Sequence, residues 1–377
     1  MRKILILIIF IFIFSTVIPA QTIIDNPEKP LSKNAGRIVH LAEVMRITDE
    51  HEGYYFKFPH NLKISPDDGM FVEDEEQLLK FDKNGKFIRN FFKKGQGADE
   101  LLLITNYIFQ DNSVVIHDWR LDKILILDQQ GNLKKTVKLR VGGQKDFFMI
   151  YDNKYYFFKS EPPDTRGEPQ IIEINTNLAA ISPDGETMEK KYGFPLKYLV
   201  MKTGERVYTA PRSGLLTCVR DNETLYISHT NEYEIKLFSL EKNRVVLKFK
   251  RKYKTVKVTD ETKKYAWGGT SGWVSIGGSW FEVPVAKYHD DIQKLLMVKD
   301  RLWAFTSTVN KEKGILVDVF DKNGRYIDNF YLRYPENVIP YRARYWVNAI
   351  SDSFIYAVEQ DEEENYAIVK YRIEDKD

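Results

Sequence analysis

Apolar and polar residues alternate in short runs along most of this chain, and the runs are divided by turns built on Asp, Asn and Gly. One pattern occurs six times: an apolar run, a turn centred on Asp, then a second run rich in Val, Ile, Tyr, Phe or Trp. The copies are LKISPDDGMFVED, IFQDNSVVIHD, MIYDNKYYFFK, CVRDNETLYIS, MVKDRLWAFTS and AISDSFIYAVE, with turn residues Asp67, Asp111, Asp152, Asp221, Asp300 and Asp352. Asp and Asn suit such turns because the short side chain accepts from nearby amides and tolerates positive φ. The flanking runs have strand composition. A second hairpin follows most copies. FDKNGKFIRNF at Phe81 returns as FDKNGRYIDNF at Phe320, identical at eight of eleven positions. The same layout starts at Leu127, and looser copies start at Ile181 and Leu240, the last with Asn243 where the others carry Gly. Gly supplies the left-handed residue these tight hairpins require.

Two hairpins in series make a four-stranded antiparallel sheet. Six such sheets around an axis predict an all-β fold, a six-bladed β-propeller. The turn aspartates are spaced by 44, 41, 69, 79 and 52 residues, so the two long intervals carry insertions, the longer over about residues 250–290. A solenoid would keep its period more strictly. The last unit runs out of chain after YAIVKYRIED, one strand short. The unassigned apolar segment RIVHLAEVMRI (37–47) is expected to supply that strand and close the ring, since an open edge would invite pairing with other chains. The propeller domain then spans 36–374, behind a polar tether at 21–35.

The first twenty residues have a different pattern. Arg2 and Lys3 precede an unbroken apolar run, Ile4–Phe14, and a small residue, Ala20. This predicts a signal peptide over 1–20 and an exported protein, periplasmic or extracellular, with no stable membrane span after cleavage. Retention of the segment as an anchor is the alternative. Cys218 is the sole cysteine of the 377 residues, so no internal disulfide is available. Net charge is +2 with both signs mixed, which lacks the basic field of a nucleic-acid binder.

The stretch VVIHDWRLDKILILDQQGNL (114–133) resembles an NHL repeat, with Asp118, Lys123, Ile124, Asp128 and Gly131 at the positions of that pattern and Leu121 where Asn is preferred. Gly95 and Gly97 match the Gly-x-Gly connector of the same family, while Ala98 and Asp99 depart from it. Over residues 37–373 the chain is similar to secreted six-bladed propeller proteins of bacteria. That resemblance implies the fold; propellers of this type serve as partner-binding platforms, RNA binders and occasional lyases, so it leaves the task open.

Candidate chemistry is sparse. The six histidines form no local metal-binding spacing, no GxSxG is present, and no catalytic residue or metal ligand is assigned. The acidic runs EDEEQ at Glu73 and DEEEN at Asp361 lack the alternation of a calcium loop, so structural calcium is unsupported and no cofactor is expected. His117 and Arg120 flank Asp118 and form the densest polar group of a blade, a candidate anion site if it faces the channel; otherwise Asp118 orders the loop. The insertion YAWGGTSGWVSIGGSWFEV (265–283) holds Trp267, Trp273 and Trp280. Exposed Trp rings anchor partners, while packed ones would form a lid. The expectation is a non-catalytic binding or scaffold propeller that recognises a protein, peptide or glycan on a loop face, with a metal-dependent hydrolase or lyase at the propeller axis as the alternative.

Overall fold

The computed structural model describes residues 22–49, 53–142, 145–160, 170–203, 206–213, 216–265, 273–276, 279–282, 286–335, 346–351 and 353–375. The expected signal peptide, His51, Trp267 and the turn residue Asp352 lie outside them. The chain is a six-bladed β-propeller. Two strands, β1 (Thr22–Asn26) and β2 (Arg37–Ile47), precede the first blade. Blade one comprises β3 (His60–Ile64), β4 (Met70–Asp74), β5 (Gln77–Phe81) and β6 (Phe87–Asn90). Blade two comprises β7 (Ile104–Gln110), β8 (Ser113–Asp118), β9 (Lys123–Asp128) and β10 (Leu133–Lys138). Blade three has five strands: β11 (Lys145–Tyr151), β12 (Lys154–Ser160), β13 (Gln170–Ile181), β14 (Met188–Thr203) and β15 (Arg206–Ser213). Blade four comprises β16 (Leu216–Asp221), β17 (Thr224–His229), β18 (Glu234–Ser239) and β19 (Arg244–Arg251). The insertion after it holds a separate hairpin, β20 (Trp273–Ile276) and β21 (Ser279–Glu282). Blade five comprises β22 (Ile292–Val298), β23 (Arg301–Asn310), β24 (Gly314–Asp321) and β25 (Tyr326–Leu332). Blade six comprises β26 (Val347–Ile350), β27 (Phe354–Gln360) and β28 (Tyr366–Asp375), completed by β2.

The ring closes as the orphan strand suggested. β2 pairs antiparallel with β28 from Val39↔Asp375 to Ile47↔Ile368. Its first residues pair parallel with β25, Arg37↔Phe330 to Val39↔Leu332, so blades five and six share one continuous sheet. The expected tether at 21–35 is corrected. Residues 22–26 add a fifth, parallel strand to the edge of blade four, from Thr22↔Leu247 to Asn26↔Arg251. Beyond it, the amides of Leu31, Ser32 and Gly36 donate to carbonyls of Tyr326, Ile327 and Asn329. The segment is strapped across two blades because edge strands offer unpaired backbone groups that any extended neighbour can satisfy. Blade three also departs from four strands: its long interval lengthens β13 and β14 and adds β15.

Six clusters of buried apolar residues lie one at each blade junction. Alternate residues of one strand serve opposite neighbours, as the two-residue strand period requires. Leu225 and Ile227 pack toward blade three and Tyr226 toward blade five. Phe71 packs toward blade two, while Met70 and Val72 meet Tyr356 and Ile368 of blade six together with Ile47 of β2. The last cluster joins blade six to blade one, and β2 contributes to it directly.

Candidate functional site

First and third strands run one way in each blade and second and fourth strands the other, which gives the two faces different loops. On one face lie the hairpins that join strands one to two and three to four. They are short, with left-handed residues at Asp111, Asn112, Asp152, Asn153, Asn222, Gly85, Gly131, Gly185, Gly324 and Asn243. Asn243 takes the Gly position of its looser copy without a glycine. Asp82, Asp128 and Asp321 each accept from the amides two and four residues on, the same Asx turn three times. The opposite face receives the blade-to-blade connectors, the insertion after blade four and the extension of blade three. There β20 lies against β15.

Connectors on this long-loop face are tied down by a carboxylate at the end of the second strand. Asp74 accepts from the amides of Lys57 and Phe58, both at 2.8 Å. Asp118 accepts from Leu102 at 2.6 Å and Leu121 at 2.9 Å. Glu359 holds the place in blade six, where it accepts from Tyr371 Oη and Arg46. Loop ordering is therefore the observed work of Asp118. His117 beside it has no exposed surface and sits edge-on to Phe147 and Phe157 of blade three, not in the channel. Arg120 is exposed on the loop. Trp273 pairs with Glu282 and Trp280 with Ser275 in the inserted hairpin.

The channel is lined by the six innermost strands, and polar side chains clasp neighbouring blades around it. Lys63 Nζ donates to Asn106 Oδ1 at 2.6 Å and to the Tyr107 carbonyl, joining blades one and two. Asn106 Nδ2 donates to the Phe147 carbonyl at 2.6 Å, joining two and three. The Leu295 amide donates to Thr217 Oγ1 at 3.1 Å, joining four and five. Lys294 Nζ donates to the Val347 carbonyl, joining five and six. Burial pushes the Lys63 and Lys294 amines down to about 8, and Lys294 also repels Lys63. Among the described residues no three His, Cys, Asp or Glu side chains come together as a metal site. The acidic run at Asp361 forms a turn of its own, with Asp361 accepting from the amides of Glu363 and Asn365.

On the long-loop face a cleft of about 380 Å³ opens between blades three and four. Tyr192, Phe194 and Pro195 supply an aromatic and apolar wall. The other wall is charged: Lys236 and Lys248 each lie 3.4 Å from Glu234 Oε1. His229 stands at the end of β17, its ring edge-on to Phe194. Burial, with Lys236 second, pushes its pKa below the ordinary imidazole value. Its buried Nε2 finds no partner among the described residues. Such a cleft can grip an elongated polar ligand through ring stacking and paired charges. None of these residues belongs to a motif; they come from strands remote in sequence.

The sheets, the six junction cores and the closing strand define a β-propeller of six blades. A family model described as a 6-bladed beta-propeller, DUF5128, matches residues 50–212. No curated protein matches the chain. Among solved structures, a candidate exported protein of Bacteroides fragilis aligns with 94% of this chain and 100% of its own, at 13% identity and a TM-score of 0.50. A duf4221 family member from Bacteroides vulgatus aligns with 90% of this chain and 99% of its own, at 10% identity and a TM-score of 0.48. The chain thus resembles bacterial six-bladed propellers, and at these identities the likeness concerns the fold.

Proposed function

We propose that this chain is an exported, non-catalytic binding propeller that recognises a protein, peptide or glycan on its long-loop face. The asymmetry of the faces carries the reading: one is closed by tight turns, while the other gathers the connectors, the extension of blade three and the tryptophan-bearing hairpin. The cleft beside Phe194 and the hairpin carrying Trp273 and Trp280 form the contact surface. Arg120, an exposed side chain on that face, adds a positive rim; the buried His117 supports the loop behind it. Export is supported by the charged-then-apolar N-terminal pattern and by the exported character given to the Bacteroides fragilis neighbour.

The test is titration of the purified protein with panels of glycans and of extended peptides, read by tryptophan fluorescence and calorimetry. At least one class should bind saturably. Trp273→Ala or Trp280→Ala should weaken it by roughly tenfold or more, the size of an interface anchor. Unchanged affinity in both variants, with unchanged melting temperature, would sink the assignment of the hairpin.

A further inference from the structure

A second cavity, of about 390 Å³, lies at the ring's seam. Its walls come from three segments: His40, Leu41, Glu43 and Arg46 of β2, Glu359 and Tyr371 of blade six, and Arg333, Tyr334 and Pro335 just past blade five. Charge within it is unevenly settled. Both carboxylates are engaged. Arg46 forks onto Glu43 at 2.6 and 3.0 Å and reaches Glu359 at 3.0 Å, and Tyr371 Oη donates to Glu359. That leaves the Arg333 guanidinium, which no carboxylate pairs among the described residues, and the His40 imidazole on the same cavity. Tyr334 packs edge-on against Trp346, with ring centroids 4.9 Å apart, and its buried hydroxyl meets no partner among the described residues. Leu41, Pro335 and the Tyr371 ring supply an apolar side.

We infer that this seam cavity is a binding site for a small organic anion, its carboxylate, sulfate or phosphate group held by the Arg333 fork and its body set against Leu41, Pro335 and Tyr371. The volume is that of a small-molecule site. A planar guanidinium with five donors is the side chain best matched to such groups. The position has a consequence of its own. Because the walls belong to the closing strand, to blade six and to the chain leaving blade five, an occupant ties together the segments that complete the ring. It stabilises the closed ring by mass action.

The experiment measures melting temperature and calorimetric binding of the purified protein with sulfate, inorganic phosphate, benzoate and D-glucuronate, each at constant ionic strength. The first two probes present the charged group alone and the last two add a ring. At least one should raise the melting temperature saturably. Arg333→Gln should weaken that probe by at least about fivefold, and Arg333→Lys, which keeps charge but loses the fork, by less. Arg325→Gln removes the same charge from the tight-turn face, where Arg325 is exposed, and should change nothing. Without anion, Arg333→Gln should melt with the parent, since among the described residues the guanidinium has no partner to lose. Absence of saturable binding by all four probes overturns the inference. Equal losses in the Arg325 and Arg333 variants also overturn it, by revealing a general salt effect.

Discussion

Among single residues, the strongest commitment is Asp318. It is fully buried in β24 and accepts from Tyr326 Oη at 2.7 Å, from Tyr233 Oη, and from Arg251 through Nε at 2.8 Å and Nη2 at 2.7 Å. Arg251 in turn lies over the rings of Tyr233, Tyr253 and Tyr326. Burial raises the Asp318 pKa, and the Arg251 charge opposes that rise without cancelling it. Removing Arg251 strands a buried carboxylate, so Arg251→Met should cost about 3–5 kcal/mol in urea unfolding. A cost near zero would mean that the pair is dispensable. The channel lysines give a pH signature. Both have folded values near 8, below the ordinary lysine value. The charged amine therefore penalises the native state at low pH, and the penalty fades as pH rises from about 8 toward the unfolded value near 10.4. Relative to Lys63→Met, the parent should gain on the order of 1–2 kcal/mol between pH 7.5 and 9.5. A flat difference would place the amine in water.

For the elements, the informative contrast is between β1 and β2. β1 buries little beyond Asn26, whose amide group donates to the Gly324 carbonyl at 2.8 Å and whose oxygen accepts from the Tyr326 amide at 2.9 Å. Asn26→Ala should cost about 1–3 kcal/mol, the toll of leaving those buried groups unmatched; the same urea titration checks it. β2 instead carries Val39 and Ile47 into two junction cores. This difference explains what could be read from sequence. Asp-Asn turns and the NG hairpins are local chemistry, so they mark strands wherever they stand, and the orphan 37–47 run was recognisable as eleven residues of strand pattern with no partner. β1 was hidden because TIIDN is short, half polar and stabilised by a partner more than two hundred residues away. The fifth strand of blade three was hidden likewise, inside an interval that read only as an insertion. The two cavities were illegible: Phe194, Lys236, Arg333 and Glu359 belong to no spacing pattern, and only the ring's closure brings such residues to one place.

In the molecule as a whole, stability is distributed around a circle. Each blade is wedged between two apolar junctions, the inner strands are clasped by side chain to backbone bonds, and the seam is sealed by a strand from the far end of the chain. No disulfide contributes, since the one cysteine, Cys218, lies in β16, where burial pushes its thiol up to about 12. The proposed ligand recognition would fall to the face where loops are long, while tight turns keep the opposite face short. A ring has no edge to fray from, so the two chain ends should unfold together with the blades and not before them.

The most direct test of ring closure compares two truncations, one beginning at residue 36 and one at residue 48, by urea unfolding and size-exclusion chromatography. The first keeps β2 and should remain a soluble monomeric-sized species or its native oligomer, unfolding cooperatively with some loss of stability. The second leaves β28 and the seam core open and should aggregate or lose cooperative unfolding. If the chain beginning at residue 48 is as soluble and as cooperative as the one beginning at residue 36, β2 does not close this propeller.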